Sequence, residues 1–142
     1  MIKQLSVFLE NTTGALGQIT KLLYENNINL RAINIAETTD YGLLRIVADN
    51  TKKSFDILND NGFVVTESTV VAVAVPDIAG GLNALLDTLT ENKVNIEYMY
   101  SIFGKTDGLA YMIFKVEDAE KAEASFVENG FTTADGKALG IN

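Results

Sequence analysis

Asparagine and glycine residues around a predicted helix start are the side chains that best suggest chemistry. Asn11 lies three residues before Gly14, and Asn29 follows the helix that begins at that glycine. A helix N-terminus presents unpaired N–H groups and about half a positive charge, so it attracts a carboxylate or a phosphate. Glycine allows close backbone approach, and an asparagine amide both donates and accepts. Together these groups suit the carboxylate and the ammonium of an α-amino acid.

The arrangement occurs a second time, 66 positions further along the chain. Gly80 and Asn95 recur there, and Asp77 stands in place of the first asparagine. At this spacing the identical pairs are Val7/Val73, Gly14/Gly80, Leu16/Leu82, Leu23/Leu89, Glu25/Glu91, Asn26/Asn92, Asn29/Asn95, Gly42/Gly108 and Leu43/Leu109. A period near half the chain predicts two copies of one small domain, residues 1–69 and 70–142.

The spacing of apolar residues predicts the same six elements in each copy. The first copy is predicted to contain strand 2–9, a helix ending at Asn26-Asn27, strands 30–38 and 43–49, a helix ending at Asn61-Gly62, and a strand from Phe63. The second is predicted to contain strand 70–75, helix 80–92, strands 96–103 and 108–116, helix 118–128, and a strand from Phe131. This βαββαβ order predicts an α+β protein of two ferredoxin-like units, each a four-stranded antiparallel sheet with both helices on one face.

Threonines near the helix starts are the expected N-caps, because their hydroxyl oxygens accept from free backbone N–H groups. Thr12 or Thr13 is predicted to cap the first helix, and Thr51 the next. The acidic run of Glu117, Asp118, Glu120 and Glu123 is interpreted as the solvated start of the last helix, not as a metal site.

The sheet face without helices is predicted to be apolar in the second copy. If Val71, Val73 and Val75 point at the helices, the opposite face carries Ala72, Ala74, Leu109, Tyr111 and Ile113. The first copy's face, with Gln4, Ser6, Phe8 and Arg45, is more polar. An apolar sheet face is usually covered, so the sequence suggests that the second copy packs on another chain in a homodimer. An ordinary, lightly apolar surface is the alternative.

The composition excludes several classes of function. The net charge is −8, so the chain lacks the basic surface that a nucleic-acid partner requires. There is no His and no Cys, which removes the usual general base, nucleophile and zinc ligands. No apolar run approaches the roughly 18 residues of a membrane span, and the N-terminus predicts a strand and not a secretion signal. We expect a cytoplasmic protein without cofactor, metal or membrane partner.

The pattern N-x-x-G-x-L followed by E-N-x-I-N-L, in this βαββαβ context, resembles the ACT domain, a small regulatory module of amino-acid metabolism. The resemblance covers the whole chain as two tandem copies. It implies a protein that is not an enzyme, that binds an effector at interfaces between ACT units, and that acts on a partner enzyme. The implied ligand-binding residues are Asn11, Thr12, Thr13, Gly14, Ala15, Leu16, Asn29, Asp77, Ile78, Ala79, Gly80, Gly81, Leu82 and Asn95.

The chain departs from the family pattern in two ways, one shared by both copies and one confined to the second. Thr13 and Ala79 replace the proline that commonly precedes the glycine. Asp77 would repel the carboxylate of an amino acid, so the first copy is the better predicted carboxylate site.

Other readings stay open on the sequence. Asn11 also suits a turn, Gly14 a steric need, and Asn29 a helix end. A ligand-independent interaction module that docks through the open sheet face is the alternative function.

Overall fold

The computed structural model describes residues 1–37, 40–103 and 108–142, and of Glu37 it describes the backbone alone. The elements are β1 (Ile2–Glu10), α1 (Ala15–Glu25), β2 (Leu30–Glu37), β3 (Tyr41–Ala48), α2 (Thr51–Asp60), β4 (Val64–Pro76), α3 (Gly81–Glu91), β5 (Ile96–Ser101), β6 (Leu109–Val116), α4 (Ala119–Glu128) and β7 (Thr133–Ala134). The predicted α+β class with two βαββαβ units is confirmed. Residue 38, predicted to end a strand, lies outside the described residues.

Two compact units make up the chain. The first unit contains residues 3–68 and 140–142, and the second contains residues 69–139 and 1–2. Two separate strands were expected at 63–66 and 70–75, but a single strand, β4, runs through both segments and ends one unit and begins the other. This stretch holds no glycine or proline before Pro76, so nothing in it interrupts an extended backbone.

The first unit has the strand order β2-β3-β1-β4. Because β1 and β2 each pair antiparallel with β3, they run parallel to each other. One face of this sheet carries Leu5, Val7 and Leu44, which pack with Leu23 of α1 and Leu58 of α2 in a buried core. Alternating apolar residues on the strands and helical spacing on the helices therefore meet on one side of the sheet.

The second unit repeats this arrangement with the order β5-β6-β4-β7. Val71 and Val73 pack with Leu89 of α3 and Phe126 of α4, which confirms the predicted direction of the β4 valines. The rings of Phe114 and Phe126 lie 5.7 Å apart in the same core. Strand β7 is short and pairs only at Thr133 and Ala134 within the described residues.

The helix-free face of the second unit is not the open surface that the sequence suggests. Ala72, Ala74 and Ile113 are buried within the single chain, and Leu109 and Tyr111 are half-buried. The first unit shows the same departure. Its polar residues Gln4 and Ser6 are buried, and the Gln4 Nε2 donates to the Ser6 Oγ at 3.2 Å. Strand alternation identifies the two faces of a sheet but not what covers each face, which explains the error.

Two of the predicted helix caps are wrong. Helix α1 has Gly14 as its N-cap, without a side-chain cap. Helix α2 begins at Thr51, and the preceding Asn50 caps it by accepting from the N–H of Lys53 at 3.0 Å. The cap is the last residue with non-helical backbone before the helix, and a neighbouring threonine cannot replace it. Asp118 caps α4 in the same way, so this acidic residue belongs to the helix start.

Candidate functional site

The first loop joins β1 to α1 through a tight turn. The N–H of Thr12 donates to the carbonyl of Glu10 at 2.9 Å, and the N–H of Ala15 donates to the carbonyl of Thr12 at 3.2 Å. Gly14 has a φ of +84°, a left-handed conformation that costs other L-residues about 1–2 kcal/mol. Glycine at this position is therefore a requirement of the turn.

This turn leaves backbone donors at the start of α1. Within the described residues, no group accepts from the N–H of Leu16 or from that of Gly17. Both N–H groups lie in the first turn, where the helix dipole favours negative charge. The local backbone therefore supplies two donors suited to a carboxylate.

A cleft of about 330 Å3 adjoins this loop, and we call it the first-loop cleft. Its lining consists of Leu9, Glu10, Asn11, Thr12, Ala15, Leu16, Ile35 and Gly42. Four of these residues are among the predicted ligand-binding residues, namely Asn11, Thr12, Ala15 and Leu16. The size is at the lower end of the range of small-molecule sites.

Sequence reasoning missed four lining residues of the first-loop cleft: Leu9, Glu10, Ile35 and Gly42. The register places Gly42 opposite both Leu9 of β1 and Glu37 of β2. The identity of Gly42 with Gly108 in the repeat was the available signal, because it marks a position where both copies have no side chain.

Asn29 does not lie in this cleft. It precedes β2, and since β1 and β2 are parallel, the start of β2 is at the opposite end of the sheet from the end of β1. Helix α1 spans 11 residues, or about 16 Å, between the two ends. There the N–H of Asn29 donates to the Asp49 Oδ1 at 3.1 Å, so within one unit Asn11 and Asn29 do not meet.

The second loop follows the same backbone path with a tighter approach. The N–H of Gly81 donates to the carbonyl of Ile78 at 3.0 Å, and Gly80 has a φ of +87°. A Cβ on Gly81 would lie 2.1 Å from the carbonyl oxygen of Pro76, so this position excludes any side chain. The matching residue of the first loop is Ala15, where a methyl group is accommodated.

The remaining predicted residues of the second copy are exposed. Asp77, Ala79 and Leu82 are exposed, and Ile78 has 72% of its surface accessible. Asn95 follows α3 and lies in a different cleft, which is described below. As in the first unit, a helix of 11 residues separates the loop from the asparagine.

Neither metal binding nor membrane insertion is indicated by the described part of the chain. Its acidic side chains include no group of three or more positioned to hold a metal ion. None of its helices is both long enough and apolar enough to pass through a bilayer.

The comparisons with known proteins show the family. The family model for the ACT domain pair matches residues 1–140, and the chain belongs to this family. No curated protein sequence matches the chain. A solved structure of a protein from Bacteroides thetaiotaomicron is 34% identical with a TM-score of 0.91, covering 98% of this chain and 95% of that one.

Two more distant structures share the fold. The regulatory subunit of aspartate kinase from Thermus thermophilus is 13% identical with a TM-score of 0.67, covering 90% of this chain and 92% of its own. The regulatory subunit of aspartate kinase from Thermus flavus is 12% identical with a TM-score of 0.59, covering 89% and 91%. At these identities the likeness concerns the fold alone.

Proposed function

We propose that this protein is a non-catalytic regulator that binds a small-molecule effector, an amino acid, in the first-loop cleft. Membership of the ACT domain pair family supports a regulatory role. The observation that carries the proposal is the first-loop cleft itself. Leu16, whose N–H has no acceptor among the described residues, adjoins there a small space that Leu9 and Ile35 also line.

Each part of an α-amino acid has a complementary group in this cleft. The carboxylate accepts from the N–H groups of Leu16 and Gly17, where the helix dipole adds to its stabilisation. The ammonium donates to the carboxylate of Glu10 and to the side-chain oxygen of Asn11. Leu9 and Ile35 form the apolar wall for the side chain, which favours an aliphatic amino acid.

Asn29 of the same unit lies at the opposite end of α1 from the first-loop cleft. An asparagine at this position therefore takes part only if another ACT unit places its own asparagine at the cleft. Binding between units would favour one arrangement of the units over others. The effect on a partner is limited to the difference in ligand affinity between those arrangements. Such coupling is typically about 1–3 kcal/mol and acts equally in both directions.

The proposed partner is an enzyme of amino-acid metabolism. Two proteins that share the fold are by name regulatory subunits of aspartate kinase, and we extend to this chain the idea of a catalytic partner without its identity. Such a partner implies a cytoplasmic location.

A homodimer is also proposed, but not through the helix-free face of the second unit. Ala72, Ala74 and Ile113 are buried within one chain and cannot pack on a partner. Because these residues are buried, this face also cannot serve as the docking surface of a ligand-independent interaction module. Sedimentation at micromolar concentration should give twice the monomer mass of 15.4 kDa, and a monomer would refute the dimer.

Thermal unfolding with each of the common amino acids tests the effector. A ligand at 100 times its Kd stabilises the folded protein by about 2.7 kcal/mol, which corresponds to a rise in Tm of roughly 5–10 °C. Asn11→Ala should reduce this rise, and Asp77→Ala, the matched change in the second loop, should leave it. No shift with any amino acid, or equal losses in both variants, would contradict the proposed site.

A further inference from the structure

A second cleft, of about 700 Å3, lies in the second unit and takes no part in the proposed function. It is bounded by Thr69 of β4, by Lys93 and Asn95 between α3 and β5, and by Glu117 and Lys121 at the start of α4. We call it the α4 cleft. Because the chain is a repeat, the first unit contains a matching corner that shows what such a place can hold.

The two corners correspond residue by residue. Asp49 and Glu117 each follow the third strand of their unit directly and precede the N-cap residue of the next helix. Asn29 and Asn95 each stand one residue before the second strand. The carbonyl of Glu117 is therefore the counterpart of the carbonyl of Asp49.

In the first unit this corner is occupied by a peptide segment of the same chain. The backbone N–H of Asn142 donates to the carbonyl of Asp49 at 2.5 Å. The lysine of the corner is engaged as well, since the Lys53 Nζ donates to the carbonyl of Asn26 at 2.6 Å. The corner thus binds backbone at its exposed strand end.

In the second unit the corresponding groups have no such partners. Among residues 1–37, 40–103 and 108–142, no N–H donates to the carbonyl of Glu117. In the same ranges, neither the ammonium of Lys93 nor that of Lys121 forms an ion pair or a hydrogen bond. The side chain of Asp118 is already used as the helix cap and accepts from the N–H of Lys121 at 3.0 Å.

Lys93 is also held in an unfavourable backbone conformation. Its φ is +56°, and the matching Asn27 has a φ of +55°. Asparagine tolerates the left-handed region well, whereas lysine enters it at a cost. The second unit thus carries a positive charge at a helix end where the first unit has the better-suited neutral residue, and such strain is concentrated at binding sites.

We propose that the α4 cleft binds an extended peptide segment of a partner protein. A backbone N–H of that segment donates to the carbonyl of Glu117, as Asn142 donates to Asp49 in the first unit. A carboxylate of the segment, from an acidic side chain or a C-terminus, lies between the ammonium groups of Lys93 and Lys121. The amide of Asn95 supplies a further hydrogen bond to the peptide backbone.

A synthetic peptide with the sequence of residues 138–142 and a free C-terminal carboxylate is the probe. Titrated into the full chain labelled with 15N, it should shift the amide resonances of residues 93–95 and 117–121. Shifts confined to residues 26–29 and 49–53 would mean that the peptide only replaces the protein's own segment. That result would overturn the proposal. The absence of any shift at about 5 mM peptide would also overturn it, because this concentration is above even a weak Kd of about 1 mM.

Two matched double variants distinguish the effect of the cleft lysines on peptide binding from the effect of the net charge. Lys93→Asn with Lys121→Ala removes both ammonium groups of the cleft. It should raise the Kd of the peptide by about tenfold or more, which corresponds to about 1.4 kcal/mol of binding free energy. Lys21→Ala with Lys52→Ala removes two exposed lysines that do not line the cleft and should change the Kd less than about twofold, because salt screens exposed charges that make no contact with the ligand. Equal effects in the two variants would also overturn the proposal.

Discussion

The first and second loops follow one backbone path but differ in how closely the start of the following helix packs. The N–H of Thr12 donates to Glu10 and that of Ile78 donates to Pro76, each at 2.9 Å, and both helices begin after a left-handed glycine. Beside the first loop lies a cleft. In the second loop the start of α3 is packed so closely on Pro76 that only glycine fits. The fold therefore fixes the turn, and the residues around it decide how closely the helix start packs.

The two corners at the other ends of α1 and α3, at Asp49 and Glu117, also differ from each other. There the first unit is filled by its own chain at Asp49, and the second unit has an open cleft at Glu117. Within the described residues, one cleft lies beside the first loop and another lies at the second corner. We infer that duplication supplied two copies of each place, and that later sequence changes assigned them different uses.

Gly81→Ala should have the largest effect on stability among the changes that test this comparison. The new Cβ would overlap the Pro76 carbonyl oxygen, at 2.1 Å, and the backbone must shift to relieve it. We expect a loss of about 1–3 kcal/mol in the free energy of unfolding, as for overpacked sites, measured by urea denaturation. Gly17→Ala in the first helix is the control, because its Cβ meets nothing within 4 Å. It should stabilise by about 0.5–1 kcal/mol, and a loss there would contradict the packing argument.

Gly14→Ala and Gly80→Ala should destabilise the protein equally, since their φ angles of +84° and +87° are nearly the same. The expected loss is about 1–2 kcal/mol for each variant, from the cost of the left-handed region alone. Neither Cβ has a neighbour within 4 Å, so no steric difference separates them. Urea denaturation that shows a clear difference between the two would mean that one loop has a second structural role.

Asn50→Ala and Asp118→Ala remove the equivalent caps of α2 and α4. Each side chain accepts from a backbone N–H at 3.0 Å, that of Lys53 or of Lys121. We expect losses of about 1 kcal/mol in the free energy of unfolding for both variants. The serine variants Asn50→Ser and Asp118→Ser should recover most of the loss, and failure to recover would exclude capping as the cause.

Exchanging the residues at the left-handed helix ends should give the smallest effects, with opposite signs. Lys93→Asn is expected to raise the free energy of unfolding, and Asn27→Lys to lower it, each by roughly 0.5 kcal/mol, a fraction of the left-handed cost. If Lys93 serves the α4 cleft, the more stable Lys93→Asn variant should bind the peptide probe less well. Unchanged peptide binding in that variant would mean that the strained backbone at Lys93 is not part of the binding site.

Much of this molecule follows from the sequence alone. The repeat, the order of the elements and the faces of the strands are local properties, because apolar spacing records which side of each element is buried. The valines at 71 and 73 illustrate this, since their alternation with alanines separates the two faces of β4, and the valine face packs on the helices. Glycines 14 and 80 were recognised from the repeat, but the reason for glycine there is the left-handed φ and not the close approach that the sequence suggests, since a Cβ would meet nothing within 4 Å.

Two expectations from the sequence are wrong, namely the threonine caps and the joint use of Asn11 and Asn29 within one unit. Threonines 12 and 51 are suitable caps by type, but the cap is the last non-helical residue before the helix, one or two residues away. The separation of Asn11 from Asn29 follows from the topology, because a helix between parallel strands returns the chain to the opposite end of the sheet. That consequence can be derived from the βαβ order itself.

Only the tertiary structure decided which surfaces are covered and which spaces are open. Ala72 and Ile113 are buried, and no pattern within β4 or β6 records this burial. The two clefts likewise depend on residues that different elements bring together, such as Leu9, Ile35 and Gly42 beside the first loop. The sequence by itself determined the two copies and their elements, because these depend on near neighbours. The open places depend on how those elements meet, which only packing in three dimensions determines.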